Sequence, residues 1–222
     1  MNTDRSSMRC PMNSDRHNQY EAWESEYNKK GRIWKRSPVF SWNVVPKKPV
    51  LEVGVGNGKN LQRFSFDRYK VTILDISRSA LDLVRKDMDV CGNVFPFQAD
   101  VCFLPFVDAS YSTIYMVHLL DHLLEKGRID AIKEIQRVLK PGGTVYITVF
   151  GDSDMRCGKG IPVEERTFRR GNNILTHYFT EEEVSSLFSS DYQVTIERHI
   201  WELKIKQEIH TREELHVAVY SS

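Results

Sequence analysis

The run Leu51-Glu52-Val53-Gly54-Val55-Gly56-Asn57-Gly58-Lys59 links an apolar stretch to a polar one and sets three glycines at alternate positions. Glycines at such a turn let the backbone bend tightly and let a ligand approach main-chain atoms. Asp75 follows Glu52 by 23 residues and closes the next apolar run, KVTILDI. A carboxylate there can accept hydrogen bonds from a ribose diol at the carboxyl edge of a sheet. A dinucleotide site uses G-x-G-x-x-G with pyrophosphate on the helix N-terminus. Here the pattern is G-x-G-x-G, with Glu52 two residues ahead of the first glycine. An acid in that place repels pyrophosphate and suits a cationic ligand. Further on, Tyr115-Met116-Val117-His118-Leu119-Leu120-Asp121-His122-Leu123 carries two histidines four apart. An imidazole takes up a proton near neutral pH, so His118 and His122 are candidate general bases. The alternative is that His122 packs and Asp121 caps the segment that follows. The same spacing suits a metal, but no third ligand accompanies it and no metal is expected.

These residues need a sheet to hold them. PVLEVGV, KVTILDI, NVFPFQAD, STIYMV and TVYITVF read as strands, the third weakened by Pro96. Between them, GKNLQRF reads as a helix with Leu61 and Phe64 inward. SRSALDLVRKDMDV reads as a helix from Ser77 with the stripe Ala80, Leu81, Val84 and Met88. Residues 128–139 read as a helix with Ile129, Ile132, Ile135 and Leu139 on one face, stopped by Lys140-Pro141-Gly142-Gly143. Alternating strands and helices predict right-handed crossovers and a parallel sheet covered on both faces. Beyond Phe150 the alternation ends. Gly171-Asn172-Asn173 between ERTFRR and ILTHYF suggests a hairpin at about 160–180. Thr180-Glu181-Glu182-Glu183 is a capping box for a helix running to about Phe188. YQVTIERHIWELKIK and ELHVAVYS then form two antiparallel strands. Ahead of the sheet, Tyr20, Trp23 and Tyr27 recur at helical spacing within 16–30, and 31–49 is a connecting arm with Pro38, Pro46 and Pro49.

Composition sets bounds on this reading. The chain has 222 residues, 41% apolar and 27% charged, which fits one globular domain rather than a disordered segment. The net charge of +1 argues against a protein that coats nucleic acid. Residues 1–49 hold ten basic and five acidic residues, concentrated at Lys29, Lys30, Arg32, Lys35 and Arg36, whereas 151–222 hold nine and thirteen. Cys10, Cys91, Cys102 and Cys157 form no C-x-x-C pair and are expected as free thiols. No run approaches the roughly 18 apolar residues of a membrane span, and the first residues have no signal-peptide core. A soluble cytoplasmic protein is expected.

With these blocks in order, the chain resembles the class I S-adenosylmethionine-dependent methyltransferases. In that family E/D-x-G-x-G-x-G closes the first strand, matched by Glu52, Gly54, Gly56 and Gly58. An acid closing the second strand holds the ribose, matched by Asp75. An acid after the third sits by the adenine amine, matched by Asp100 in QADVCFLPF. The signature EIxRVLKPGG appears as Glu134-Ile135-Gln136-Arg137-Val138-Leu139-Lys140-Pro141-Gly142-Gly143. The resemblance covers about residues 50–150 and implies a doubly wound, mostly parallel seven-stranded α/β sheet with an antiparallel last strand. It implies S-adenosylmethionine as cofactor, with Glu52, Gly54, Val55, Gly56, Asn57, Gly58, Asp75, Ile76, Asp100, Val101 and Val117 around it. Many relatives carry V-L-H-H-L near the reactive methyl. His122 matches the second of those histidines and Asp121 replaces the first, so no inherited role passes to Asp121.

HYFT-x-E-E segments like the one at His177 and Tyr178 occur in members resembling tellurite and thiopurine methyltransferases. There they look mainly structural, and a substrate-facing His177 is the lesser alternative. The pattern from Trp23 through Tyr27, Gly31 and Trp34 to Pro38 also resembles that subgroup. The expected organisation is an arm over 1–48 and a cofactor-binding domain over 49–222. The arm acts as a lid whose Trp34 faces the sulfonium. A small-molecule acceptor is expected. The alternatives are a wobble-uridine-type tRNA methyltransferase, which VLEVGVGNGKNL and LPF also resemble, and a non-catalytic cofactor-binding scaffold for a partner.

Overall fold

The computed structural model describes residues 14–33, 44–63, 70–87 and 93–221. Trp34, Pro38, Phe64 and Met88, together with Lys35, Arg36, Cys10 and Cys91, lie outside the described residues. Helix α1 (Ser14–Lys30) comes first. Then follow β1 (Val50–Val53), β2 (Val71–Asp75), α2 (Arg78–Asp87), β3 (Val94–Gln98), β4 (Tyr111–Val117), α3 (Glu125–Val138) and β5 (Leu139–Phe150). The chain closes with β6 (Ile161–Glu164), β7 (Thr167–Arg169), β8 (Leu175–His177), α4 (Glu181–Ser186), β9 (Tyr192–Ile205) and β10 (Glu208–Ser221).

Seven strands form one sheet in the order β3-β2-β1-β4-β5-β10-β9. β1 to β5 run parallel, and β10 is antiparallel to both β5 and β9. This is the doubly wound α/β architecture that the alternating strands and helices predict. Pro96 sits in β3, the strand at one edge, where a missing N–H costs the ladder least. The chain winds outward from β1 to β3 and then crosses back to β4. Open α/β sheets carry their crevice at such a reversal, outside the carboxyl ends of the strands.

Side-chain alternation divides the core between the two faces. Leu51, Val53, Ile114, Met116 and Ile147 pack on one face with Ala131, Ile132, Ile135 and Val138 of α3. Val50, Ile73, Tyr115 and Tyr146 pack on the other with Leu61 and with Leu81 and Val84 of α2. The stripe of α3 differs from the expected one. Ile129 is 41% exposed, the buried side is Ala131, Ile132, Ile135 and Val138, and Leu139 is buried at the start of β5 rather than on the helix. The segment after Gly58, expected as an α-helix, is a 3-10 turn over Lys59–Arg63 in its described part. α2 starts where expected, with Ser77 Oγ accepting from Ala80 N at 3.1 Å. α4 has Thr180 as its cap, accepting from Glu183 N at 3.1 Å. Residues 161–177 form a separate three-stranded antiparallel sheet, β6-β7-β8, with β8 at its edge.

Candidate active site

The glycine-rich loop leaves β1 with all three glycines in the left-handed region: φ is 73° at Gly54, 55° at Gly56 and 77° at Gly58. A side chain is excluded at Gly54 on two grounds, since a Cβ there would also lie 2.9 Å from Leu119 Cδ1. At Gly58 a Cβ would press on Val84 Cγ2 at 3.1 Å, so the glycine lets the loop lie against α2. Asp75 fixes the loop from the next strand. Its Oδ2 accepts from Gly56 N at 2.8 Å and its Oδ1 from Ser77 N at 2.9 Å. Burial pushes the Asp75 carboxyl up to about 6, against the two backbone donors that favour its ionised form. Each oxygen keeps a lone pair for a further donor. Asp100 opens the turn after β3, where its Oδ1 accepts from Cys102 N at 2.9 Å.

A cleft follows the carboxyl ends of β1, β2, β3 and β4. Gly54, Val55, Gly56, Asp75, Ile76, Asp100, Val101, Val117, His118 and His122 line it. Glu52, Asn57 and Gly58 do not: Glu52 is buried within β1, paired to Ile73 and Tyr115, and Asn57 is buried in the loop. Gln19, Trp23 and Tyr27 of α1 form the opposite wall, with Lys59, Asn60, Leu119 and Leu123. Trp23 and Tyr27 were visible in the sequence as a helical aromatic repeat. Their helix, however, is placed by contacts far along the chain.

α1 is fastened over the cleft on two sides. On one, Glu24 receives Ser77 Oγ and Ser79 Oγ at 2.6 Å each and Ser79 N at 3.2 Å, at the start of α2. Although burial opposes it, these donors hold the Glu24 carboxyl below its ordinary value. On the other, Gln19 Nε2 donates to Asn173 O at 3.0 Å and its Oε1 accepts from Leu175 N at 3.2 Å.

The two histidines differ sharply. His118 ends β4 with φ 52°, a left-handed conformation uncommon for a residue with a side chain. Its Nδ1 meets Asp121 Oδ2 at 2.9 Å, its Nε2 meets Glu214 Oε1 at 3.2 Å, and its ring stacks on Phe150 at 4.1 Å. Burial alone would lower its pKa, but the two carboxylates raise it to about 9. His118 is thus an imidazolium with both nitrogens engaged. The expectation that it serves as a general base is corrected, because it has no lone pair to offer. Asp121 is fully buried and does not cap the next segment. Its second oxygen accepts from Phe150 N at 2.8 Å, tying β4 to β5.

His122 has the opposite character. Its Nδ1 lies 2.7 Å from Leu175 O, and a carbonyl can only accept, so Nδ1 carries the proton. Nε2 then holds the lone pair, with no hydrogen-bond partner among the described residues. Burial lowers the pKa of this imidazole despite the opposing charge of Asp121. A neutral imidazole that lines the cleft with one nitrogen fixed by a carbonyl can accept a proton at the other. His177 lies elsewhere. It is buried between Thr167 Oγ1 at 2.7 Å and Glu183 Oε1 at 2.8 Å, in the frame that joins β7, β8 and α4.

Residues 50–143 match the family model of a methyltransferase domain. The ubiquinone/menaquinone biosynthesis C-methyltransferase UbiE of Shewanella sediminis is 35% identical over 125 residues, which are 54% of this chain and 49% of that protein. The tRNA N(3)-cytidine methyltransferase METTL2 of Gallus gallus is 28% identical over 152 residues, 63% of this chain and 41% of that one. The chain thus spans about half or less of the length of these curated relatives. A SAM-dependent methyltransferase from Methanosarcina mazei shares the fold with a TM-score of 0.64 at 24% identity, over 78% of this chain and 91% of that one. Residues 50–143 thus match a methyltransferase domain, and the sheet order and glycine loop agree with the fold of the SAM-dependent methyltransferase from Methanosarcina mazei. The cofactor of this chain is S-adenosylmethionine, and the acidic strand ends fit that group: Asp75 retains acceptor capacity, and Gly54 leaves the main chain bare. No helix among the described residues is long and apolar enough to cross a membrane.

Proposed function

We propose that the protein transfers a methyl group from S-adenosylmethionine to a small-molecule acceptor, with His122 taking the acceptor's proton. The observation that carries this reading is α1, lying across the cleft and fastened to α2 by Glu24 and to β8 by Gln19. It leaves a space bounded by Trp23, Tyr27, Leu119 and Leu123, suited to a compact, largely apolar molecule. In this reading α1 is the lid on the domain at 49–222.

The cofactor, when bound, supplies an electrophilic methyl carbon on a sulfonium. Asp75 would accept from its ribose hydroxyls, Asp100 would serve its adenine end, and Ile76 and Val101 would offer it apolar surface. α1 excludes water and holds the acceptor in line, from which most of the acceleration of such a displacement comes. His122 Nε2 would take the O–H, N–H or S–H proton of the acceptor. His118 holds the β4 and β5 ends together through Asp121 and remains charged throughout. The LTHYFTEEEV segment supports placement with the tellurite- and thiopurine-methyltransferase-like subgroup. Free thiols at Cys102 and Cys157 fit a reducing cytoplasmic setting.

The similarity to METTL2, named as a tRNA methyltransferase, favours a second reading in which tRNA is the acceptor and Lys29, Lys30 and Arg32 meet phosphates. An extruded base would have to enter past α1. Methyl-labelled cofactor incubated with the protein and a cell extract, then fractionated, decides between them. Label in the small-molecule fraction supports the first reading, and label in the RNA fraction replaces it with the second.

A further inference from the structure

We infer that Gln19 is a positioning residue for the transfer: through Leu175 at the edge of β8 it fixes the placement and tautomer of His122. The inference rests on the proposed role of His122 as proton acceptor. Leu175 makes two outward hydrogen bonds. Its carbonyl accepts from His122 Nδ1 at 2.7 Å, and its N–H donates to Gln19 Oε1 at 3.2 Å. In an antiparallel strand the N–H and C=O of one residue point to the same side. Both groups of Leu175 therefore face away from β7, at the edge of the three-stranded sheet, where no strand among the described residues pairs with them.

β8 is only three residues long, with Thr167↔His177, Phe168↔Thr176 and Arg169↔Leu175 as its pairings. The turn before it runs through Asn173 at φ 64°. Such a short edge strand has little of its own to fix a carbonyl to a few tenths of an ångström. The Gln19 amide supplies the restraint by closing on the segment at two points, donating to Asn173 O and accepting from Leu175 N. One turn along the same face, Trp23 meets the His122 ring edge to face at 4.7 Å. α1 thus holds the ring from one side and the ring's anchor from the other. His122 has its proton on Nδ1 and its lone pair in the cleft only while α1 is seated. The charged groups acting on His122, which are Asp121, His118 and Arg156, lie outside this clasp and stay in place when Gln19 is replaced.

The test is nitrogen-15 NMR of histidine-labelled full-length protein without added ligand at neutral pH, reading the imidazole shifts of His122. Wild type is expected to show a neutral ring wholly in the Nδ1–H form. Gln19→Ala should lose that single-tautomer signature, with the two nitrogen shifts converging toward those of a free, exchanging imidazole. The His177 signals, set by Thr167 and Glu183, report whether each variant is folded. Gln19→Met keeps the side-chain length and stands in should the alanine variant not fold. An unchanged Nδ1–H signature in folded Gln19→Ala or Gln19→Met overturns the inference while leaving His122 as the base. A wild-type ring that is protonated or in the Nε2–H form overturns the reading of His122 itself.

Discussion

Trp23 on α1 meets the imidazole of His122 edge to face, with ring centroids 4.7 Å apart and planes at 70°. The contact keeps water from one side of a histidine whose pKa is lowered by burial. Trp23→Ala should therefore raise the His122 pKa toward the ordinary value of about 6.5 and remove a pair interaction of about 0.5–1.5 kcal/mol. An NMR titration that finds His122 unmoved in the variant would show that the indole does not shield it.

Asp75 couples cofactor binding to pH. In the free protein its carboxyl sits at about 6, raised by burial, so it takes up a proton as pH falls through that value. In the proposed complex ribose hydroxyls would donate to the carboxylate, so binding would favour the ionised form. Affinity for S-adenosylhomocysteine should be full above about pH 6 and weaken below it. Asp75→Ala should lose on the order of 1.5–3 kcal/mol per charge-assisted bond and flatten that pH dependence. Calorimetry at several pH values measures both, and equal affinity in the folded variant would remove Asp75 from the site.

Glu24 fastens α1 to the start of α2 through both serine hydroxyls. Glu24→Ala should free one flank of the lid at a cost of about 1.5–3 kcal/mol, a tenfold or greater rise in opening. Hydrogen exchange over residues 17–30 reads this directly. Wild type should gain protection on adding S-adenosylhomocysteine, and the variant should exchange faster in both states. Exchange in the variant that matches wild type would mean that α1 is held by packing alone.

The Asp121–His118–Glu214 network should show in stability. His118 has a folded pKa of about 9, above its ordinary value, because two carboxylates outweigh its burial. Its contribution is therefore fully present below about pH 6.5 and lost as pH rises through about 9. Asp121→Ala leaves His118 with Glu214 alone and Phe150 N without its acceptor, costing about 1–3 kcal/mol for the unsatisfied donor. Urea unfolding on both sides of that window should show the wild type weakening with rising pH and the variant doing so far less. A variant as stable as wild type would show the network to be dispensable.

The parallel sheet and the glycine loop were legible because each βαβ unit is written locally, in apolar runs, glycines and strand-end acids a few residues apart. The aromatic period of α1 was equally local, but its place over the cleft rests on Gln19 meeting Leu175 across 156 residues. Nothing near Gln19 in the sequence signals a partner that far along the chain. The histidines show the same limit. His118 and His122 are identical as letters, and their difference comes from their partners: Asp121 and Glu214 of β10 hold both nitrogens of one, while Leu175 O of β8 holds only Nδ1 of the other. The stripe of α3 slipped because Ile129 fits the helical period but faces solvent.

Single-turnover methyl transfer to the small-molecule fraction of an extract, compared between wild type and His122→Ala, tests the central claim most directly. Loss of the proton acceptor should slow transfer by about 10²–10⁴-fold, with cofactor affinity nearly unchanged. Transfer by His122→Ala at the wild-type rate, at equal fraction folded and equal cofactor occupancy, would contradict it.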